Sequence, residues 1–422
     1  MVRCSKNISI IILIILLSYG SSFAGGFNIY EHGARASALA SAFAARGDDV
    51  TCIFYNPAGL AHLEGTHISL GTTFILPTAK FTGPTPYYGV SEAKNQVFFP
   101  TDFYFYKKLS KKFGFGFGIF TPFGLGVDWG EDWSGRYMVT KADLMTFYFN
   151  PVGVYKINEN FSVAAGFNYV YGTATIKKAV NYSPRSIDGI FGLEADGTGM
   201  GYNFGLQYRK DKISLGVAYR STVKVDFSDG DGVVTFNMNN PGIANNPYVR
   251  GELASLFPEV KGSTEITMPS ILTLGLGYEV NEKLGVEFDV MMFGWSSYDK
   301  LPITFETETA AIQSVDSPKN YKDVTQLRFG AEYKLNETYT LRGGYYYDPS
   351  PVQDDYLEPM LPDVDRDGLN FGVGYKAGSI TVDAFFLYII MADRTTTTSI
   401  EHFNGSYQAT ATLFGATFSY QF

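Results

Sequence analysis

From Phe161 onward the chain alternates. Phe161, Val163, Ala165, Phe167, Tyr169 and Tyr171 form one set, and Ser162, Ala164, Gly166, Asn168, Val170 and Gly172 the other. The same split separates Ile213, Leu215, Val217 and Tyr219 from Ser214, Gly216 and Ala218. It returns at Leu272, Leu274, Leu276 and Tyr278 against Thr273, Gly275, Gly277 and Glu279, and at Leu369, Phe371, Val373 and Tyr375 against Asn370, Gly372 and Gly374. Successive side chains of a strand point to opposite faces, so this period of two predicts strands with one apolar, aromatic face and one small, polar face. A soluble sandwich would bury the apolar face. A membrane barrel would turn it to lipid and give the small face to the lumen.

Three features favour the barrel. Short polar turns at 156–160, 209–212 and 335–338 alternate with much longer loops. Aromatic residues such as Tyr345, Tyr346 and Tyr347 stand near strand ends, where an interfacial girdle would lie. The last strand places Phe414, Ala416, Phe418, Tyr420 and Phe422 on one face and closes on an aromatic residue, similar to the assembly signal of bacterial outer-membrane barrels. Fourteen strands are expected, at about 66–77, 98–108, 112–120, 142–157, 160–180, 199–209, 212–227, 264–280, 283–308, 321–334, 338–348, 367–376, 379–402 and 406–422. The even number suits a single-chain bacterial barrel. The fold class is therefore all-β, a transmembrane antiparallel barrel over 65–422. With both ends periplasmic, the long loops face outward. The stretch 228–263 is read as the largest of them, with a short helix within 247–257, and 181–198 as a short outer loop.

Two stretches break the rhythm. Residues 25–64 do not fit the pattern, and 25–49 are Ala-rich without alternation. The run from Ala34 to Ala45 reads as a small-residue helix, and Asn56, Pro57 and Ala58 then break the chain. Small residues suit a crowded place, and a barrel of this size has room for a segment inside. This stretch is expected to be a hatch in the lumen; a loose periplasmic tail is the alternative. The second stretch, 112–126, carries Gly114, Gly116, Gly118, Gly124, Gly126 and Pro122. Gly and Pro inside a strand predict a kink and lost ladder bonds. Small lumenal residues that merely make room for the hatch are the other reading.

The first 24 residues read as an export signal. Arg3 and Lys6 precede an apolar run at 8–17, and Ser22 and Ala24 form a small-residue cleavage site. The run is far shorter than the ~20 residues of a spanning helix. Export removes two positive charges, so the mature chain of 422 − 24 = 398 residues has a formal charge of −9 − 2 = −11. That argues against a nucleic-acid partner. Cys4 leaves with the signal, so Cys52 is alone and no intrachain disulfide is expected. The four histidines, His32, His62, His67 and His402, show no metal-ligand spacing, and no hydrolase or phosphate-loop motif is present. No cofactor, metal or catalytic site is expected, and the chain is read as not an enzyme.

Residues 26–35, followed by Asn56, Pro57 and Ala58, resemble the start of the long-chain fatty-acid outer-membrane transporter family of the FadL/TodX type. Segments 219–227, 295–298, 321–324, 348–352 and 362–366 match that family in order and spacing, so the resemblance covers essentially the whole mature chain. It implies a fourteen-stranded barrel with an N-terminal hatch. It also implies passive uptake of hydrophobic compounds, most often long-chain fatty acids, with lateral exit where the third strand kinks inward. Aromatic or aliphatic hydrocarbons by the same route are the alternative ligands, and a general polar-solute porin is the alternative function; an outer-membrane lipase or protease lacks an assignable Ser-His-Asp set.

The resemblance places Phe27 in the ligand pocket and offers Lys177 and Lys322 as cations for a carboxylate; either lysine reads equally well as a solvated loop-end residue. Gly118, Pro122, Gly124 and Gly126 mark the lateral opening. Strand alternation turns Glu287, Asp289, Arg328, Glu332, Arg342 and Asp383 inward, as a salt-bridge network holding the hatch or as a ligand site. The expected partners are a hydrophobic small molecule, outer-membrane lipid, and the barrel-assembly machinery acting on Phe422. The protein is expected to be monomeric.

Overall fold

The computed structural model describes residues 25–422 except 85–88, 183–186, 238–239, 241–242 and 244–245. The expected signal lies outside the described residues. The chain forms a closed antiparallel barrel of fourteen strands. They are β1 (Thr66–Thr82), β2 (Thr101–Lys108), β3 (Phe113–Phe120, then Gly124–Asp128), β4 (Lys141–Lys156), β5 (Phe161–Tyr182), β6 (Ile187–Lys210) and β7 (Ile213–Arg220, then Val223–Phe236). The second half comprises β8 (Val260–Met268, then Ile271–Glu279), β9 (Leu284–Phe293, then Lys300–Phe305), β10 (Val315–Pro318, then Val324–Lys334), β11 (Tyr339–Asp348), β12 (Arg366–Ala377), β13 (Ile380–Met391) and β14 (Gly405–Gln421). Pairing of β1 with β14, from His67 opposite Gln421 to Thr82 opposite Ser406, closes the ring and removes the sheet edges. Among the described residues no helix is long and apolar enough to cross a membrane.

Burial decides between sandwich and barrel. Leu274, Leu276, Tyr278, Phe371, Val373 and Tyr375 are exposed, whereas Thr273, Gly275, Asn370 and Gly374 are buried. The apolar set is therefore outside and the small, polar set inside, the reverse of a water-soluble sheet.

The inner glycines have close neighbours. A Cβ on Gly216 would lie 2.0 Å from the Ala44 carbonyl oxygen, and one on Gly344 would lie 2.6 Å from the Ala40 nitrogen. On Gly330 it would meet the Leu39 oxygen at 2.6 Å. Strands β7, β10 and β11 thus give up side chains where the backbone of residues 39–44 passes. Gly216→Val is expected to loosen this contact by about 1–3 kcal/mol, the usual range for overpacking. Hydrogen exchange at the amides of 43–46 should then speed up about tenfold or more while the strand amides stay protected.

The described residues of the expected loop at 181–198 are strand. Residues 187–198 belong to β6, and the ladder with β5 runs continuously from Phe161 opposite Tyr208 to Tyr182 opposite Ile187. The largest outer loop is also shorter than expected, because β7 runs to Phe236 and β8 begins at Val260. Gly, Asp and Thr read as loop in both places, yet a strand beyond the membrane faces water and needs no apolar stripe. Within the loop, Pro247–Leu256 is the expected helix, capped by Asn246, whose side chain accepts from the Val249 amide.

The Ala-rich run forms a helix only over Ala34–Ala38. Ala40 and Ser41 take positive φ, and the chain turns. The wall captures the groups a longer helix would use. Arg328 donates to the Ala40 oxygen at 2.9 Å, Asp289 accepts from the amides of Phe43 and Ala44 at 3.0 Å, and Glu287 accepts from those of Ala45 at 2.6 Å and Arg46 at 3.1 Å. These charge-assisted bonds outweigh the intrinsic helix preference of alanine.

Candidate functional site

The third strand breaks at 121–123. Its first half pairs with β2 and β4, its second half with β4 alone among the described strands. Pro122 has no N–H for the ladder. The N-terminal segment takes up the freed groups: Ile29 donates to the Pro122 oxygen at 2.8 Å, and Gly124 donates to the Phe27 oxygen at 3.0 Å. Asn28 and Phe123 form the bridge between them. The glycines here admit neighbours. A Cβ on Gly124 would stand 2.9 Å from Ile29 Cδ1, one on Gly126 would stand 2.1 Å from the Phe98 ring, and one on Gly118 would stand 3.0 Å from Ile53 Cγ2.

Phe27 lies at the inner side of this break, in an aromatic box. Its ring packs edge-on against Trp295 at 4.8 Å, Tyr298 at 5.6 Å and Phe123 at 6.1 Å, and Tyr321 meets Tyr298 at 5.1 Å. Such pairs add about 1 kcal/mol each beyond burial. Gly26 is held beside the box. Its amide donates to Asp363 at 3.2 Å, and its carbonyl accepts from Arg366 at 2.8 Å. Arg366 also pairs with Asp363 at 2.7 Å. Gly26 has φ +66°, and a Cβ there would meet the Trp295 ring at 2.8 Å, so only glycine fits this approach.

The break segment thus joins residues from three distant parts of the chain. Segments 295–298 and 321–324 build the box around Phe27, and 362–366 holds Gly26 beside it. Trp295, Asp363 and Arg366 were not singled out from the sequence as site residues, although those segments carried the resemblance.

The two candidate lysines lie elsewhere. Lys322 is exposed, while its neighbour Tyr321 enters the box. Lys177 is half-exposed and pairs with Glu194 at 2.9 Å. It lines an outer groove of about 990 Å³ in which Glu131, Asp132, Arg136 and Asp188 stand beside the apolar Ile190, Val233 and Phe236.

Asn56 ties the segment to the wall. Its amide donates to the oxygens of Ala44 at 2.7 Å and Leu206 at 3.1 Å, and its carbonyl accepts from the Ala58 amide. Pro57 opens the short helix Pro57–His62, and the Ala58 oxygen accepts from Ser162 at 2.8 Å. The inward charges gather around Glu332. Arg35 at 3.0 Å, Arg46 at 2.9 Å and Arg342 at 2.6 Å all reach it, and Arg342 also reaches Asp383 at 2.7 Å. Of these arginines, Arg35 and Arg46 belong to the N-terminal segment.

His32 packs edge-on against Phe54 at 4.3 Å. Burial, and then the positive charge of Arg220, push its pKa down to about 3. It is neutral at ordinary pH.

A sequence model of the family described as "Outer membrane protein transport protein (OMPP1/FadL/TodX)" matches residues 15–422. The chain is 26% identical to a long-chain fatty acid transport protein of Escherichia coli O6:H1 over 95% of each chain. It is 24% identical to outer membrane protein P1 of Haemophilus influenzae over 99% of each. Among solved structures it resembles a Pseudomonas aeruginosa FadL homologue (TM-score 0.83, 18% identity, 94% of this chain and all of that one). It also resembles the Pseudomonas putida toluene transporter TodX (TM-score 0.73, 17% identity, 94% and 99%).

Proposed function

The chain belongs to the outer membrane protein transport protein family (OMPP1/FadL/TodX), an outer-membrane family that transports hydrophobic compounds, and from that premise we propose that its ligand leaves sideways through the broken third strand. Residues 25–64 act as a hatch. The observation that supports the reading is the pairing of Phe27 and Ile29 with Gly124 and Pro122, which sets this segment against the break in the strand. A ligand in the aromatic box competes with Phe27 for the same apolar surface. When it displaces Phe27, the two hydrogen bonds across the break go with it, and the gap opens. Lateral exit returns an apolar molecule to lipid rather than forcing it through water. Long-chain fatty acid is the ligand in the name of the Escherichia coli relative, and toluene in that of a structural neighbour.

A tether tests this. Asn28 and Phe123 face each other between the two bonds, a position where Cα atoms lie about 4.5 Å apart and a disulfide fits. In a Cys52→Ala background, Asn28→Cys with Phe123→Cys is expected to slow uptake of a labelled hydrophobic probe at least tenfold when oxidised. Reduction of the same protein should restore it. Equal uptake by both forms would overturn lateral release.

A further inference from the structure

The break in β3 leaves a slot in the wall. One lip is the run 95–101, where the chain enters β2, and the other is 121–127. Among the described residues these lips exchange no backbone hydrogen bond. Both ends of the slot are fastened. At one end Phe103 stands opposite Ile119 in the ladder between β2 and β3. At the other the Lys94 amide donates to the Asp128 oxygen at 2.7 Å, and the Lys94 ammonium pairs with the Asp128 carboxylate at 2.9 Å. The length of the slot is therefore set, and its fillers decide its width.

Two side chains fill it. Gly124 and Gly126 are two residues apart on a strand, so the side chains they lack would share a face. A Cβ on Gly124 would meet Ile29 Cδ1 at 2.9 Å, and one on Gly126 would fall on the ring tip of Phe98. Gly126 is not among the glycines of positive φ, so the ring, not the backbone, calls for glycine there. The two fillers have different anchors. Ile29 belongs to the N-terminal segment and leaves with it. Phe98 belongs to the wall: its amide donates to the Ile75 oxygen at 3.0 Å, and its oxygen accepts from the Ile75 amide at 2.8 Å. Its neighbours Val97 and Phe99 are 54% and 66% exposed, on the opposite face. The Phe98 ring is half-buried, which leaves it room to turn about its own side-chain bonds while its backbone stays in place.

We propose that Phe98 is a second leaf of the lateral opening, one that selects ligands by cross-section. This rests on the lateral-release reading above and deepens it. Withdrawal of 27–29 uncovers only the Gly124 half of the slot. The Gly126 half stays covered by a ring that the hatch does not carry. An unbranched chain passes beside the ring. A ligand with fused rings waits for the minor state in which the Phe98 ring has swung aside, and its rate scales with the population of that state.

Labelled palmitate and pyrene-dodecanoate test this, because they share a carboxylate and an alkyl chain and differ in width. Their uptake is read as a ratio, so the number of barrels cancels, and assembly is checked by heat-modifiable migration. Phe98→Ala should raise the ratio of pyrene-dodecanoate to palmitate about fivefold, as for a ring-aside state populated roughly one part in five. Phe98→Ala with Gly126→Leu rebuilds the filter from the opposite lip and should return the ratio to the parent's value. A ratio unchanged in Phe98→Ala, or not restored in the double variant, overturns the filter. The oxidised tether of Asn28→Cys with Phe123→Cys separates the two readings. It should stop both probes; equal uptake with and without it removes lateral release and the filter together. A tether that stops both probes beside an unchanged ratio removes the filter alone.

Discussion

Changing Glu332 to Gln should release the N-terminal segment while the barrel still assembles. Glu332 is 2% exposed and answers three guanidiniums, those of Arg35, Arg46 and Arg342. Only Arg342 has a second buried acid, Asp383, and Arg35 has the more exposed Asp48 and Asp49. Arg46 would keep Glu279 at 3.7 Å, which is half-exposed. Gln keeps the shape and removes the charge, so the loss is electrostatic. Breaking a buried pair by removing one partner costs about 3–5 kcal/mol, because the remaining charge stays buried. The strands do not depend on it, since the ladder between β10 and β11 is a backbone ladder with Glu332 opposite Arg342. A planar bilayer should therefore record steady ion conductance from Glu332→Gln where the parent is nearly silent. A silent variant would show that the segment is held mainly by the backbone contacts to Asp289 and Glu287.

The second large effect is set by pH. His32 has an ordinary pKa near 6.5 and one of about 3 when docked. Below pH 6.5 the undocked segment takes up a proton that the docked one refuses. Docking therefore weakens as pH falls, by about 1.4 kcal/mol per unit, and the loss is complete below about pH 3. The whole shift is worth about 5 kcal/mol. His62, lowered to about 4 by burial and then Arg209, acts in the same direction. Asp49, raised by burial, opposes them at the acid end. Protection factors across 27–55, with the intrinsic pH dependence of amide exchange divided out, should fall about tenfold or more per unit between pH 6 and 4. His32→Gln should flatten that slope to what His62 leaves, and an unchanged slope would place the sensitivity elsewhere.

Much of the barrel was legible in the chain. Leu274, Leu276 and Tyr278 against Gly275 and Gly277 is a local pattern, and strand direction turns it into two faces without further information. The terminal strand could be placed too, because Phe414 and Phe418 share a face. The inward orientation of Glu287, Asp289 and Glu332 followed from the same arithmetic. Gly124, Gly126 and Pro122 announced a fault in β3, because a proline has no donor for the ladder in any context.

What only the tertiary structure decided lies where distant segments meet. The run after Ala38 has alanine's helix preference, yet it turns, because Arg328, Asp289 and Glu287 from strands some 240 to 290 residues away take its backbone groups. Residues 187–198 read as loop from their composition, yet they are strand, because β5 offers a partner edge that no local pattern records. Lys177 was a reasonable cation by position, yet it pairs with Glu194 across that hairpin. Periodicity is a property of one segment and survives in the sequence. Charge compensation and the filling of a gap depend on which segments the closed barrel brings together, and only closure sets that.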